Sequence, residues 1–356
     1  EPWQRTYANK FDDPRIKLAS YGLLAANGHN MQPWKIKLDL DKDSFYLFAD
    51  SDRLVKEVDP FSRQTMIAQG TFLEYVRVGG EQLGYKIAIT LFPAGEYDEK
   101  NLAASMKNKP VAKITLIKAE APSSLLYEQL FLPDTNRGAY QKQAVTAEAI
   151  TQLLAVNDDS DIKIEIFPDG ENIKKLGHYV MDGAKIEAGI RRINEESGRL
   201  FRTNEEEKNK YRYGFSVDGQ GVTGIKKHLI QGLLTLFPSM NNEKNAAALY
   251  VKSVQTAVDN TPAYGVIITK SNSRVEQIKS GMLYSRLVLQ AHALGLAMHP
   301  PSQVLQEYAE MEAQYDNIHR DYAPNRTAIQ MLFRIGQPTQ VFPRSMRRDV
   351  MELVAE

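Results

Sequence analysis

Hydrophobic positions along the chain follow two periods. Residues 34 to 39 alternate Trp, Lys, Ile, Lys, Leu and Asp, and residues 44 to 49 form a second extended run after an Asp-Lys-Asp turn, which predicts a hairpin with one buried face. Further strands are predicted at Lys86 to Leu91, Val111 to Ile117, Asp161 to Phe167, Tyr264 to Thr269 and Ala328 to Ile335. Helical stretches separate most of them. The first is opened by Asp13-Pro14, carried by Ile16, Ala19, Leu23 and Leu24, and predicted to stop at Asn27-Gly28. Strands and helices mixed in this way predict a layered fold, α/β or α+β.

The sequence also echoes itself. Gly70 opens GTFLEYVRVGGEQLGYKI and Gly281 opens GMLYSRLVLQAHALGLAM, and each stretch carries a Leu-Gly pair that places Gly84 and Gly295 at the same offset. Both read as a buried helix whose glycine start permits close packing and whose Leu-Gly end feeds an extended segment. Duplication explains the echo, and the alternative is a chance likeness of two amphipathic helices. Between the two copies, Arg191 to Lys244 is rich in Arg, Glu, Asn, Gly and Tyr, and only Leu229 to Phe237 offers much to bury. Such a stretch reads as a lid-like insertion or as a solvated connection.

Composition narrows the chemistry. The 356 residues hold 43% hydrophobic and 25% charged residues, with no apolar run long enough for a transmembrane helix. Lys plus Arg equals Asp plus Glu at 44 each, so no general positive field favours nucleic acid, and an anion site must be a local cluster. Cysteine is absent, which excludes disulfides, thiolate metal sites and cysteine nucleophiles. Six His residues without HExxH or HxH spacing give no reason to assign a metal. The chain starts at Glu1 rather than Met, and together with the lack of Cys this slightly favours an exported, periplasmic protein over a cytoplasmic one.

Four motifs carry the candidate chemistry. Asn27-Gly28-His29-Asn30-Met31-Gln32-Pro33-Trp34 resembles the ring-contacting loop of the FMN-dependent nitroreductase family, where amide side chains suit the carbonyls and nitrogens of an isoalloxazine edge. Thr135-Asn136-Arg137 is similar to that family's Arg-Ser-x-Arg phosphate element, although Pro133-Asp134 replaces the first Arg. Pro300-Pro301-Ser302-Gln303, after Gly295, stands where the family usually has Pro-x-Glu-Gly beside flavin N5, with a backbone N–H as the expected donor. Arg344, Arg347 and Arg348 look like the basic tail that completes the phosphate pocket, and an always-charged planar fork suits that role.

The resemblance runs from residue 29 to 348 and, with Asp59-Pro60-Phe61-Ser62-Arg63, suits the Acg-like single-chain subgroup. It implies an α+β nitroreductase-like fold whose two halves, 1–120 and 121–356, imitate the family homodimer, with 191–244 as a lid-like insertion. One FMN is implied per chain, because the first half offers no counterpart of the Thr135 or Pro300 motifs. The implied activity passes electrons from NAD(P)H through FMN to a nitroaromatic, quinone or similar small acceptor. The alternatives are an FMN-sequestering protein with little turnover and a flavin-free interaction protein. A monomer or weak homodimer is expected. The flavin carries the redox chemistry, so neither His29 nor His299 is assigned a proton-transfer role.

Overall fold

The computed structural model describes residues 1–120, 124–221 and 243–355, and the run Leu229 to Phe237 lies outside them. Asp13 opens α1 (Pro14–Gly22) by accepting a hydrogen bond from the Arg15 backbone N–H, with Pro14 in the first turn. The helix stops at Gly22, five residues before the expected Asn27, because Leu23 to Ala25 close a tighter turn on Ala19, Tyr21 and Gly22.

The expected hairpin is present as β1 (Trp34–Leu38) and β2 (Ser44–Ala49), with Trp34 opposite Ala49 and Leu38 opposite Phe45. After Asp59, whose carboxylate accepts from the Gln64 and Thr65 N–H groups, the chain enters α2 (Arg63–Gln82). It then forms β3 (Tyr85–Leu91), α3 (Leu102–Asn108) and β4 (Ala112–Lys118). The sheet order is β1-β2-β4-β3, antiparallel throughout.

The second half begins with α4 (Ala147–Leu154), β5 (Ile162–Phe167) and α5 (Gly170–Ala188). The insertion then supplies α6 (Arg191–Arg199), β6 (Phe201–Arg202), α7 (Glu205–Tyr211) and β7 (Phe215–Ser216). Beyond it come α8 (Glu243–Asp259), β8 (Ala263–Thr269), α9 (Arg274–Ala293), β9 (Ala297–His299), α10 (Glu312–Tyr322) and β10 (Ala328–Gly336). This sheet runs β5-β8-β10-β9, again antiparallel, so a strand pair, a long helix and a second strand pair follow the same plan in both halves. Every residue of β8 and β10 is buried, because α9 covers one face and α5 with α8 the other. The alternation in β1 belongs instead to a sheet with one buried face. Among the described residues no helix is long and apolar enough to cross a membrane.

Helices α2 and α9, each of 20 residues, join the halves. A Cβ on Gly70 would lie 1.9 Å from the Ile278 carbonyl oxygen, and one on Gly281 would lie 1.9 Å from that of Ile67. Each glycine therefore meets the residue three before the other, and the contact is reciprocal. Gly84 and Gly295 close the two helices with φ of 80° and 72°, the left-handed turn that the Leu-Gly pairs foretell. The C-terminal segment returns to the first half, where Val354 bridges Ile36 and the Ala355 N–H donates to the Ile36 carbonyl at 2.8 Å.

Gly70→Ala or Gly281→Ala should each cost about 3 kcal/mol of unfolding free energy, the upper end for overpacking, since both obstructing groups are helix backbone. The double variant should cost less than the two together, because one separation of the helices relieves both clashes. Chemical denaturation checks this; unchanged stability in either single variant would mean that the helices do not meet at these glycines.

Candidate functional site

The loop after α1 turns three non-glycine residues into left-handed backbone: His29 (φ 51°), Asn30 (φ 52°) and Gln32 (φ 52°). Asn tolerates that region and Gln does not, so the conformation needs outside support. Asn27 gives some, its Oδ1 accepting from the Gln32 N–H at 2.7 Å. Gly28 lies against the Gln64 side chain. Asn30 Nδ2 donates to the carbonyls of Gly214 (3.1 Å) and Met346 (2.9 Å), and its Oδ1 accepts from Arg347 Nη1 at 2.7 Å. Gln32 Nε2 donates to the Arg212 carbonyl at 2.9 Å, and its Oε1 accepts from the Arg348 N–H at 2.9 Å. His29 Nε2 lies 3.2 Å from Ser197 Oγ. The insertion and the C-terminal tail thus hold this loop between them.

The tail arginines are largely occupied. Arg347 Nη2 donates to the Leu24 carbonyl at 2.6 Å and the Ala25 carbonyl at 3.1 Å, and Arg348 Nη2 donates to the Gln32 carbonyl at 2.7 Å. Each keeps one buried donor, Nε, without a partner, and burial lowers both guanidinium pKa values to about 10. Arg344 is exposed and donates from Nε to the Phe131 carbonyl at 3.1 Å. In the Pro300 segment, Pro301 is buried, Ser302 Oγ donates to the Leu332 carbonyl at 3.1 Å, and Gln303 Oε1 is buried without a donor.

Thr135 is half-buried and Asn136 is structural, its Nδ2 donating to the Gln340 carbonyl at 2.9 Å and its Oδ1 accepting from the Gly138 N–H at 3.0 Å. Arg137 differs. It is exposed, with a single long hydrogen bond of 3.5 Å to the Gly219 carbonyl, yet surrounding protein lowers its pKa. Partly open and partly surrounded, it marks the edge of a candidate recess. Tyr140, Tyr250 and Tyr284 are within electrostatic reach of its charge. So are His29, pushed down to about 4 by burial and then by Arg137, and His299, lowered further by burial, Arg334 and Arg137. The recess therefore gathers His29 from the first-half loop with Arg137 and His299 from the second half.

Two of its members escaped the sequence reading. Arg334 lies opposite His299 in the sheet, is 0% exposed, and stacks 3.9 Å over the Tyr140 ring. Its one available signal was a basic residue inside the apolar run Ala328 to Ile335. Glu187 accepts from the hydroxyls of Tyr250 (3.2 Å) and Tyr308 (3.4 Å), and burial pushes its carboxyl up to about 7. Nothing in its polar helix end marked it. Unpartnered donors and acceptors at Arg334, His299, Tyr284 and Gln303 fit a ligand that is both polar and anionic. Among the described residues no group of His, Asp or Glu is arranged to hold a metal ion.

No family model matches the chain. It is similar to the probable NAD(P)H nitroreductase PigM of Serratia sp., at 20% identity over 319 residues, which span 89% of this chain and 86% of PigM. Among solved structures, a nitroreductase with bound FMN from Desulfitobacterium hafniense aligns at 10% identity and a TM-score of 0.33, covering 60% of this chain and 89% of its own. The FMN-dependent nitroreductase NfnB of Mycobacterium smegmatis, in complex with NADPH, aligns at 14% identity and a TM-score of 0.34, covering 60% and 88%.

Asp134, the residue that stands in the phosphate element of the resemblance, points away from the recess. Its Oδ2 accepts from the Ala26 N–H at 2.8 Å and its Oδ1 from the Tyr75 hydroxyl, so it ties the Thr135 segment to the end of α1. Burial raises its pKa to about 6, with Tyr75, Arg347 and Ala26 pulling the other way. A carboxyl raised above its unfolded value binds its proton more tightly in the fold. Its contribution is most favourable below the unfolded pKa and is lost as pH rises through about 6. The stability of Asp134→Asn relative to wild type should therefore improve by about 2 kcal/mol between pH 4 and pH 7. Denaturation at several pH values reads this difference, and a flat one would show that Asp134 titrates as an ordinary carboxylate.

Proposed function

We propose that the chain binds one FMN and passes electrons from NAD(P)H to a nitroaromatic, quinone or similar small acceptor. The observation that carries this reading is the recess itself, where three motifs far apart in sequence contribute His29, Arg137 and His299. The likeness to a probable NAD(P)H nitroreductase over most of both chains supports the same reaction class. When bound, FMN supplies the hydride-accepting and hydride-donating chemistry. The protein supplies the rest. Arg137 offers its charge to an oxyanion, with Thr135 beside it, and Arg347 and Arg348 contribute through the Nε donors they leave unpartnered. The backbone around Pro300 to Gln303 and the loop Asn27 to Gln32 would hold the ring.

A single site follows from how the halves differ. Their shared strand order and the reciprocal glycine contact support an internal pseudo-dimer. Five residues beyond Gly70 stands Tyr75, and five beyond Gly281 stands Arg286. Tyr75 supports the recess through Asp134. Arg286 instead fills the corresponding place, donating to Glu74 at 2.8 Å and the Val156 carbonyl at 2.9 Å and pairing with Asp158 at 2.7 Å. The buried Arg286–Glu74 ion pair stands where Tyr75 stands in the other half, so the second half offers no copy of the Tyr75–Asp134 support, and an internal pair of halves removes one reason to dimerise.

The insertion favours a second reading, flavin sequestration. Ser197, Arg212 and Gly214 all hold the loop that borders the recess, so access for a nicotinamide depends on their release. Stopped-flow mixing of the yellow protein with NADH and with NADPH separates the two. The reductase reading expects one FMN per chain and rapid bleaching by at least one nucleotide. Bleaching that is very slow with both, although dithionite reduces the flavin normally, would establish sequestration instead. FAD, or two flavins per chain, would contradict both.

A further inference from the structure

We infer that Arg334 and Arg137 form a two-guanidinium oxyanion site whose floor is the fully buried Arg334 side chain. Arg334 is 0% exposed near the C-terminal end of β10, and of its donors only Nη2 is engaged, with the Gly138 carbonyl at 2.5 Å. Nε and Nη1 have no partner, and neither does Nδ1 of His299, the residue opposite. The bonded carbonyl belongs to the residue after Arg137, so the two guanidinium groups share one short segment. Among the described residues neither has a carboxylate partner; tyrosines are the only groups that favour their charge.

A buried charge without a counter-ion is among the most unfavourable arrangements in a protein, and a guanidinium cannot shed its proton to escape it. Stacking on Tyr140 and one carbonyl offset only part of that cost. A ligand oxyanion that reaches the recess would complete the set, with Arg137 closing over it from the open side. The neutral imidazoles of His29 and His299 add no competing charge and leave room for donation. The same oxyanion chemistry has two sources, the phosphate of the cofactor or the carboxylate of an acidic acceptor. Only the choice between them rests on the flavin reading.

The test uses the full chain, freed of bound flavin by dialysis against concentrated bromide, together with Arg334→Met and Arg137→Met. Calorimetric titration with inorganic phosphate and with 4-nitrobenzoate, and melting without ligand, are the first measurements. The site predicts that at least one anion binds the wild type and loses about ten- to a hundredfold in affinity in either variant. It also predicts that ligand-free Arg334→Met melts above the wild type, because an apolar side chain relieves the unpaired charge. If Arg334→Met does not fold, Arg137→Met, whose side chain faces open space, carries the affinity arm alone.

FMN and riboflavin then identify the source. Loss of FMN affinity with riboflavin unchanged assigns the cofactor phosphate, and loss of 4-nitrobenzoate with both flavins unchanged assigns the acceptor. If no flavin binds while the anions still depend on both arginines, the flavin reading fails and the oxyanion site stands. Anion affinities that ignore both substitutions overturn the site, as does an Arg334→Met protein that melts lower with its anion binding intact.

Discussion

The approach of α2 to α9 through Gly70 and Gly281 is the constraint from which the rest of the structure follows. A side chain at either position would overlap a carbonyl of the facing helix, so these two backbones meet with nothing between them. Each helix anchors one four-stranded sheet, and their contact fixes the distance between the sheets. The recess draws on both sides of that junction. His29 follows from the end of α1, which packs on α2, while Arg334 and His299 follow from strands that pack on α9. A change of a few tenths of an ångström at the glycines would therefore be felt where the loop, Arg137 and His299 come together.

Much of the fold was legible because its signals are local. Period-two alternation located β1 and β2, and continuous apolar runs located β8 and β10 to within a residue or two. The glycine echo pointed to two close-packed helices, since only glycine permits such an approach. The insertion was harder. α6 reads as polar apart from the buried Ile193, and it is held by bonds that no local pattern contains: Glu196 accepts from the N–H groups of Glu57 and Val58, and Arg192 pairs with Glu310.

The site was legible as motifs but not as roles. Asn30, Gln32, Arg347 and Arg348 have the chemistry of ligand contacts, yet here they largely satisfy one another and the backbone between residues 24 and 34. Residue type shows what a group is able to bind, whereas its spare donors appear only once every partner has been placed. Arg334 is the opposite case. What marks it is the absence of a carboxylate partner among the described residues, a property of the folded surroundings that one basic letter in an apolar run does not express.

Strain and missing charge compensation meet at this recess and are treated differently. Left-handed backbone at His29, Asn30 and Gln32 costs on the order of 1–3 kcal/mol at the least tolerant position. It is answered from within, by Arg212 and Gly214, 180 and 184 residues away from Gln32 and Asn30, and by the tail. The loop therefore takes its final shape only after the insertion and the C-terminal segment have both docked. Arg334 has one carbonyl and the Tyr140 ring, and among the described residues no carboxylate answers its charge. The protein spends its long-range contacts on shaping the rim of the recess and leaves the charge beneath it open, so the largest favourable interaction still available there belongs to a ligand.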